Sequence, residues 1–322
     1  MPLESRKVLI TGGAGFIGSH LAEAHLACGD RVWIVDNLST GRQENVPSDT
    51  QFHLLDIASE EAAALIRRVG FDVVSHQAAQ ADVRVSVADP MRDARTNILG
   101  LLNVLEAVAE SGAGRVVFAS SGGVVYGEAD EVPTPEGAPK RPASPYGVAK
   151  LAGELYLDYY RQVRGVEHVA LRYANVYGPR QDPGGEAGVV AIFGRRLLEG
   201  RPLRIFGDGG QTRDYVHVAD VVAANLLAAE AQLSSAPGAD ARAYNVGSGI
   251  ETSVNELADI LERGAGAQCE RLWDEARPGE LRRSALATAK IRALGWRPEV
   301  ALRDGVGGAV ATPSSAQGVR AA

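Results

Sequence analysis

Tyr146 and Lys150 stand four residues apart just past Ser144-Pro145, and Ser120-Ser121 lies upstream at the end of an apolar run. Ser144 suits a helix N-cap and Pro145 the first helical position, so the tyrosine and lysine share one helix face. An ammonium beside a phenol lowers the phenol's pKa from about 10, and a phenolate near neutral pH is a general base. A serine hydroxyl from a strand end can share the proton being moved. Alone, a tyrosine and lysine at this spacing more often mark a solvated helix face. Joined to a redox-cofactor site they become a signal.

Such a site is legible at the N-terminus. Thr11-Gly-Gly-Ala-Gly-Phe-Ile-Gly-Ser-His20 follows the apolar run 7–10, with glycines at 12, 15 and 18. Gly12 allows the tight turn, Gly15 lets backbone N–H groups approach a pyrophosphate at a helix N-terminus, and Gly18 lets the helix pack close to the sheet. Residues 31–35 read as a second buried strand ending in Asp36, about 20 residues past the loop, where a carboxylate can accept both ribose hydroxyls of NAD. A 2′-phosphate there would meet a like charge, which argues for NAD over NADP.

The rest of the chain must position these groups. Apolar runs near 7–10, 31–35, 51–55, 71–75, 115–119 and 167–171 alternate with helix-like stretches near 15–27, 59–69, 92–111 and 145–164. Repeated strand-helix units predict an α/β fold, a Rossmann doubly wound parallel sheet with helices on both faces. After about residue 176 the alternation breaks at Gly178-Pro179, Pro183-Gly184-Gly185 and 207–210. The expected division is a cofactor domain over 1–176 and a smaller α+β substrate domain over 177–322, with a helix near 219–230 able to pack back on the first. Residues 308–322, poor in large apolar side chains, are expected to fray.

Composition narrows the function classes. The 322 residues are 45% hydrophobic and 23% charged, enough for roughly two domains. A net charge of −7 without a basic run argues against a nucleic-acid surface. The only cysteines, Cys28 and Cys269, are far apart and form no C-x-x-C pair, as in a reducing compartment. Neither a signal peptide nor a membrane span is indicated, so a cytoplasmic location is expected. His217, His53 and His168 show no metal-ligand spacing, and no metal is expected.

The chain resembles the extended short-chain dehydrogenase/reductases, in particular the UDP-glucose 4-epimerase group. The resemblance runs through TGGAGFIGSH, DNLSTG (36–41), HQAAQADVRVSV (76–87), ASSGGVVYGE (119–128), YGVAK (146–150), LRYANVYGPRQDP (171–183), IFGDGGQTRDYVHVAD (205–220), YNVGSG (244–249) and ARPGELRRS (276–284). It implies NAD held through turnover. Phe16 and Ile17 would join the glycine cradle; Asn37, Ser39, Thr40 and Gly41 would meet the adenosine ribose region; Asp56 and Ile57 would meet the adenine. Ala78, Ala79 and Gln80 would meet the far side of the pyrophosphate, with Asn97 nearby and Tyr173 near the nicotinamide. Arg213 and Arg277 would clamp the UDP-sugar diphosphate, Glu280 would accept the uridine ribose hydroxyls, and Asn175, Val189, Arg204 and Phe206 would complete the nucleotide site. Arg282, Arg283, Arg195 and Arg196 read as solvated charges. The family also pairs subunits through two helices each, here 92–111 and 145–164, making a homodimer.

The implied reaction is a transient oxidation. Tyr146 takes the sugar 4-hydroxyl proton as the C4 hydride passes to NAD, the 4-ketose turns over in the pocket, and hydride and proton return to the other face. Lys150 tunes Tyr146 and holds the nicotinamide ribose. Ser121 is preferred over Ser120 as the bridge to the reacting oxygen, with both kept open. Related dehydratases place an acid-base pair after the serine or threonine; Gly122 and Gly123 stand there and transfer no proton, and Glu128 reads as structural. Ser284, small at a position whose bulk limits the sugar's C2 substituent, leaves room for N-acetylated UDP-hexoses beside UDP-glucose and UDP-galactose. The runner-up is a UDP-glucuronate 4-epimerase, with Arg180 near the carboxylate. A non-catalytic NAD-binding regulatory protein is the alternative from another class; its sign would be loss of Tyr146 or Lys150.

Overall fold

The computed structural model describes residues 5–112, 114–184, 188–277 and 280–310, the side chains of 308–310 excepted. Strands and helices alternate through the first half: β1 (Lys7–Thr11), α1 (Phe16–Ala27), β2 (Arg31–Asp36), β3 (Gln51–Leu54), α2 (Glu60–Val69), β4 (Val73–His76), α3 (Val83–Ala88), α4 (Pro90–Ala94), α5 (Gly100–Ser111), β5 (Arg115–Ser121), α6 (Gly122–Val125), α7 (Pro145–Arg164) and β6 (Glu167–Tyr173). The second half adds β7 (Asn175–Tyr177), α8 (Val189–Leu198), β8 (Leu203–Phe206), β9 (Thr212–Arg213), β10 (Tyr215–His217), α9 (Val218–Glu230), β11 (Ala243–Val246), β12 (Thr252–Ser253), α10 (Val254–Ala265), β13 (Arg271–Asp274), α11 (Ala289–Arg292) and α12 (Leu302–Val310). Residues 311–322, most of the tail expected to fray, lie outside the described residues.

Seven parallel strands form the central sheet in the order β11-β6-β5-β4-β1-β2-β3. It is the doubly wound Rossmann-like sheet expected. Strands buried on both faces must be apolar throughout, and Val8, Leu9 and Ile10 are wholly buried. One face packs on α2, α5 and α7 through residues such as Leu65, Leu105 and Leu157. The other packs on α1 and α9 through Leu21, Val221 and Ala224. Strand order reverses between β1 and β4, and a ligand crevice opens at that switch point beyond the strands' carboxyl ends. The loops after β1 and β4 therefore become its walls.

Two elements differ from the sequence reading. The single helix expected over 92–111 is instead α4, a π turn at Arg95–Leu99, and α5. Asp89 starts α4 two residues early by accepting the Arg92 N–H at 3.0 Å, with Pro90 at the first position. The edge strand β11 was not foreseen. It is four fully buried residues paired with β6, a length at which periodicity says little.

In the second half, β8 pairs with β13, β7 with β10 and β9 with β12. A separate core of Tyr177, Phe193, Leu203, Ile205, Leu257 and Val306 joins α8, α10 and α12 to these short strands. Among the described residues no helix is long and apolar enough to cross a membrane, and no cluster of three His, Cys, Asp or Glu could hold a metal ion.

Candidate active site

A cleft of about 250 Å³ lies at the switch point. Gly12, Gly15, Phe16, Ile17 and Gly18 form its floor. Gly12 has φ +70°, and a Cβ there would stand 2.7 Å from the Ala78 backbone nitrogen. At Gly18 a Cβ would stand 2.2 Å from the Gly12 carbonyl oxygen. Only glycine fits at either place. The N-terminus of α1 carries no acidic residue in its first turn, so its positive end faces the cleft uncompensated.

Asp36 closes β2 at one end of the cleft. Its carboxylate accepts the Ala14 N–H at 3.0 Å and the Leu38 N–H at 2.8 Å, which fixes its two oxygens while leaving lone pairs for a diol. A Cβ at Gly41 would stand 2.9 Å from both of those oxygens, so glycine there keeps the carboxylate accessible. Asn37, Ser39, Thr40 and Ile57 line this end. Asp56 does not; it is exposed and accepts Asn37 Nδ2 at 3.0 Å, holding the wall from behind.

Ala78, Ala79 and Gln80 make the opposite wall. Asn97, carried inward by the π turn, fixes them: its Oδ1 accepts the Gln80 N–H at 2.9 Å and its Nδ2 donates to the Gln80 carbonyl at 2.8 Å. It acts on the cleft through that loop, since it is not itself part of the wall. The Ala78 N–H donates to Thr11 Oγ1 at 3.2 Å, and Thr11 Oγ1 is 3.0 Å from His76 Nδ1. Burial, with the Lys150 charge beside it, pushes the His76 pKa down to about 3, so the ring is neutral. Tyr173 seals the far end, its oxygen accepting Asn225 Nδ2 at 2.8 Å, and burial pushes its pKa up to about 12.

Tyr146 and Lys150 stand together in the cleft wall on α7. Ser144 caps that helix by accepting the Gly147 N–H at 3.1 Å, and Pro145 takes the first position. Lys150, 3% exposed, donates to the Ala119 carbonyl at 2.8 Å. Its Nζ lies 5.7 Å from the Tyr146 ring centre and 4.9 Å from that of Phe118. Successive strand residues face opposite sides, so only one of the two serines can share the α7 side of β5 with Phe118. That one is Ser120, which lines the cleft and donates to Glu154 Oε1. Ser121 ends β5 half-buried and outside the wall.

The substrate candidates gather on the second half, outside this cleft. Arg213 Nη2 lies 3.4 Å from Glu280 Oε1, and its Nη1 donates to the Leu281 carbonyl at 2.9 Å. Arg277 lies over the Phe206 ring at 3.8 Å, and Arg204 pairs with Asp274 at 3.0 Å. Asn175 opens β7 in register with Tyr215, Val189 opens α8, and Ser284 is half-buried. Arg180 faces elsewhere. At φ +67° it turns onto α1, where Nη1 donates to Ser19 Oγ at 3.0 Å and Nη2 to Glu23 Oε1 at 2.5 Å. Arg282 and Arg283 are exposed and paired with Asp208 and Glu251, and Glu128 accepts the Arg282 N–H at 3.2 Å.

Arg92, Thr96, Leu55 and Gln77 also line the cleft and were not singled out from sequence. Arg92 and Thr96 are four apart on the segment that bears Asn97, a spacing that puts them on one side. That polar pair was the available signal. The cradle fits NAD: Cβ atoms at Gly12 and Gly18 would collide with the backbone that shapes the turn, α1 offers its positive end, and Asp36 presents an acceptor where a ribose diol would lie.

Comparison with known proteins agrees. The UDP-glucose 4-epimerase of Mycolicibacterium smegmatis is 45% identical over 306 residues, covering 93% of this chain and 96% of its own. The crystal structure of a Thermotoga maritima UDP-glucose 4-epimerase with UDP-glucose superposes with a TM-score of 0.91 at 44% identity, covering 94% of this chain and 97% of that one. A Thermus thermophilus UDP-glucose 4-epimerase in complex with NAD gives 0.87 at 46% identity over the same shares. A family model spans residues 8–247, from β1 through the edge strand β11, and so takes in the cradle, Asp36 and the Tyr146–Lys150 pair: the chain belongs to the NAD-dependent epimerase/dehydratase family.

Proposed function

We propose that this chain interconverts UDP-hexoses at C4, UDP-glucose with UDP-galactose and also the N-acetylated pair, using NAD retained in the cleft. The observation that carries the reading is the meeting of the glycine-Asp36 cradle with the Tyr146–Lys150 pair in one cleft. Relatives named UDP-glucose 4-epimerase at 44–45% identity over 93% of the chain support it.

Bound there, NAD supplies the hydride acceptor and donor. The chain's own residues handle the proton. Lys150 Nζ lies near the Tyr146 ring, where an ammonium favours the phenolate, so Tyr146 takes the proton of the sugar 4-hydroxyl and later returns it. Ser121 or Ser120 meets the reacting oxygen. Arg213 and Arg277 bind the diphosphate, where guanidinium forks suit phosphate oxygens. Glu280 receives the ribose hydroxyls; Asn175, Val189, Arg204 and Phe206 hold the rest of the nucleotide, and Ser284 leaves room at C2. Gly122 and Gly123 offer no acid-base pair for elimination.

The engagement of Arg180 with Ser19 and Glu23 favours neutral hexoses over uronates, because a carboxylate would have to compete with Glu23 for it. We also infer a homodimer. Val148, Leu155, Tyr159 and Val163 expose an apolar face along α7, beside Val87 and Met91. The unpaired Cys28 and Cys269 suit a reducing cytoplasm.

The test is to incubate purified protein, without added NAD, with UDP-galactose, UDP-N-acetylgalactosamine and UDP-galacturonate, and to resolve the products. Conversion of the first two to their C4 epimers, with galacturonate slowest, is expected. No conversion after NAD is supplied would overturn the reading.

A further inference from the structure

A buried ion pair lies directly behind the catalytic wall. Glu154, one turn beyond Lys150 on α7, is 1% exposed, and Arg172 on β6 is wholly buried. Arg172 donates through Nε to Glu154 Oε1 at 2.9 Å and through Nη2 to Oε2 at 2.5 Å. The β5–β6 register sets Ser120 beside Arg172, and Ser120 donates its hydroxyl proton to Glu154 Oε1 at 2.5 Å. Arg172 also reaches the Tyr126 oxygen at 2.9 Å and Asp240 at 2.7 Å, so its guanidinium is anchored independently of Glu154. Burying two opposite charges yields little net stability over well-packed apolar side chains. What the pair does yield is a carboxylate fixed behind one hydroxyl.

A serine hydroxyl has one proton and two lone pairs, and an ionised carboxylate only accepts. With its proton committed to Glu154, Ser120 presents lone pairs alone to the cleft. We propose that Glu154 is a positioning residue for the reaction, holding Ser120 as an obligate hydrogen-bond acceptor in the wall beside Tyr146 and Lys150. Ser120 then orients the ligand by receiving an O–H or N–H other than the reacting hydroxyl, whose own proton goes to Tyr146. It does not donate to a carbonyl oxygen. This inference rests on the epimerase reading above.

Glu154→Gln tests it at constant volume. Facing Arg172, the amide must turn its oxygen to the guanidinium, which leaves its N–H donating to Ser120 and turns the Ser120 proton into the cleft. The polarity of the wall reverses. Ser120→Ala removes the acceptor while leaving the ion pair intact. We expect each variant to lose about tenfold or more in kcat/KM, and the double variant to be no worse than Ser120→Ala alone. Affinity for UDP, measured by calorimetry, should stay within about twofold in all three, reporting a folded nucleotide site. Ser120→Ala with wild-type kcat/KM, or a Glu154→Gln loss that persists undiminished in the Ser120→Ala background, overturns the proposal and leaves Glu154 a purely structural partner of Arg172. Absence of turnover in the wild type overturns the epimerase reading and this inference together.

Discussion

Lys150 donates to the Ala119 carbonyl at 2.8 Å, a bond that pins the second turn of α7 to β5 one residue before Ser120. Lys150→Met removes both the charge near Tyr146 and this bond. A buried carbonyl left unmatched costs roughly 1–3 kcal/mol, so the melting temperature should fall along with activity. Turnover should fall by about 100-fold or more, and Tyr146→Phe should lose at least as much while still binding NAD. Steady-state assays and bound-NAD absorbance check both.

Gly18→Ala tests the cradle. Its Cβ would stand 2.2 Å from a backbone oxygen, which cannot move aside as a flexible side chain could. Overpacking of this kind costs roughly 1–3 kcal/mol, and here it displaces the turn between β1 and α1 that forms the floor of the cleft. The purified variant should carry about a tenth or less of the wild-type NAD, measured after gel filtration.

Two buried histidines set an acid limit on stability. Burial, with Lys150 nearby, holds His76 at about 3; burial, with Arg242 nearby, holds His168 at about 4. Both lie below the value of about 6.5 that an unfolded histidine shows, so the unfolded chain binds more protons between these limits. Their contribution is present above about pH 6.5 and is lost as pH falls toward 4 and then 3. The slope reaches about 1.4 kcal/mol per pH unit for each histidine. Melting temperature should drop from pH 7 to pH 5, and His168→Gln should make that drop shallower.

The apolar stripe on α7 makes a prediction about assembly. Leu155 is 57% exposed and Tyr159 53%. Sedimentation of the wild type should give twice the chain mass of 33.9 kDa, and Leu155→Arg should shift it toward the monomer. A wild-type monomer at micromolar concentration would remove the dimer from the functional reading.

In the proposed function, sugar choice turns on Ser284. Ser284→Tyr should cut UDP-N-acetylglucosamine turnover by about tenfold or more while leaving UDP-glucose turnover nearly intact. Retained activity on the N-acetylated substrate would remove Ser284 as the limit on the C2 substituent.

The sequence makes the cradle legible because Gly12, Gly18 and Asp36 obey local rules of turn, close approach and strand end. The alternating apolar runs announce the parallel sheet for the same reason. What escapes is set by tertiary packing. Asn97 reaches Gln80 only because a π turn widens the helix at Arg95–Leu99, and no propensity marks such a turn. The two serines are indistinguishable as neighbours in a string; the strand pleat and Glu154 separate them. Arg180 sits in a motif that suggests a ligand contact, yet Ser19 and Glu23, far away in sequence, take its guanidinium.

The pairing of β11 with β6 bears on how the molecule is made. The strand that closes the edge of the central sheet, and α9 that covers one face, both come after β6 in the chain. A nascent chain that has emerged only as far as Tyr173 carries every residue of the glycine cradle and the Tyr146–Lys150 pair, but β6 still presents an open edge, and the sheet face that α9 shares with α1 has α1 alone. Such contacts are distant in sequence and close late, with aggregation as the competing outcome. Truncation between the halves should therefore yield insoluble protein instead of an autonomous cofactor-binding fragment.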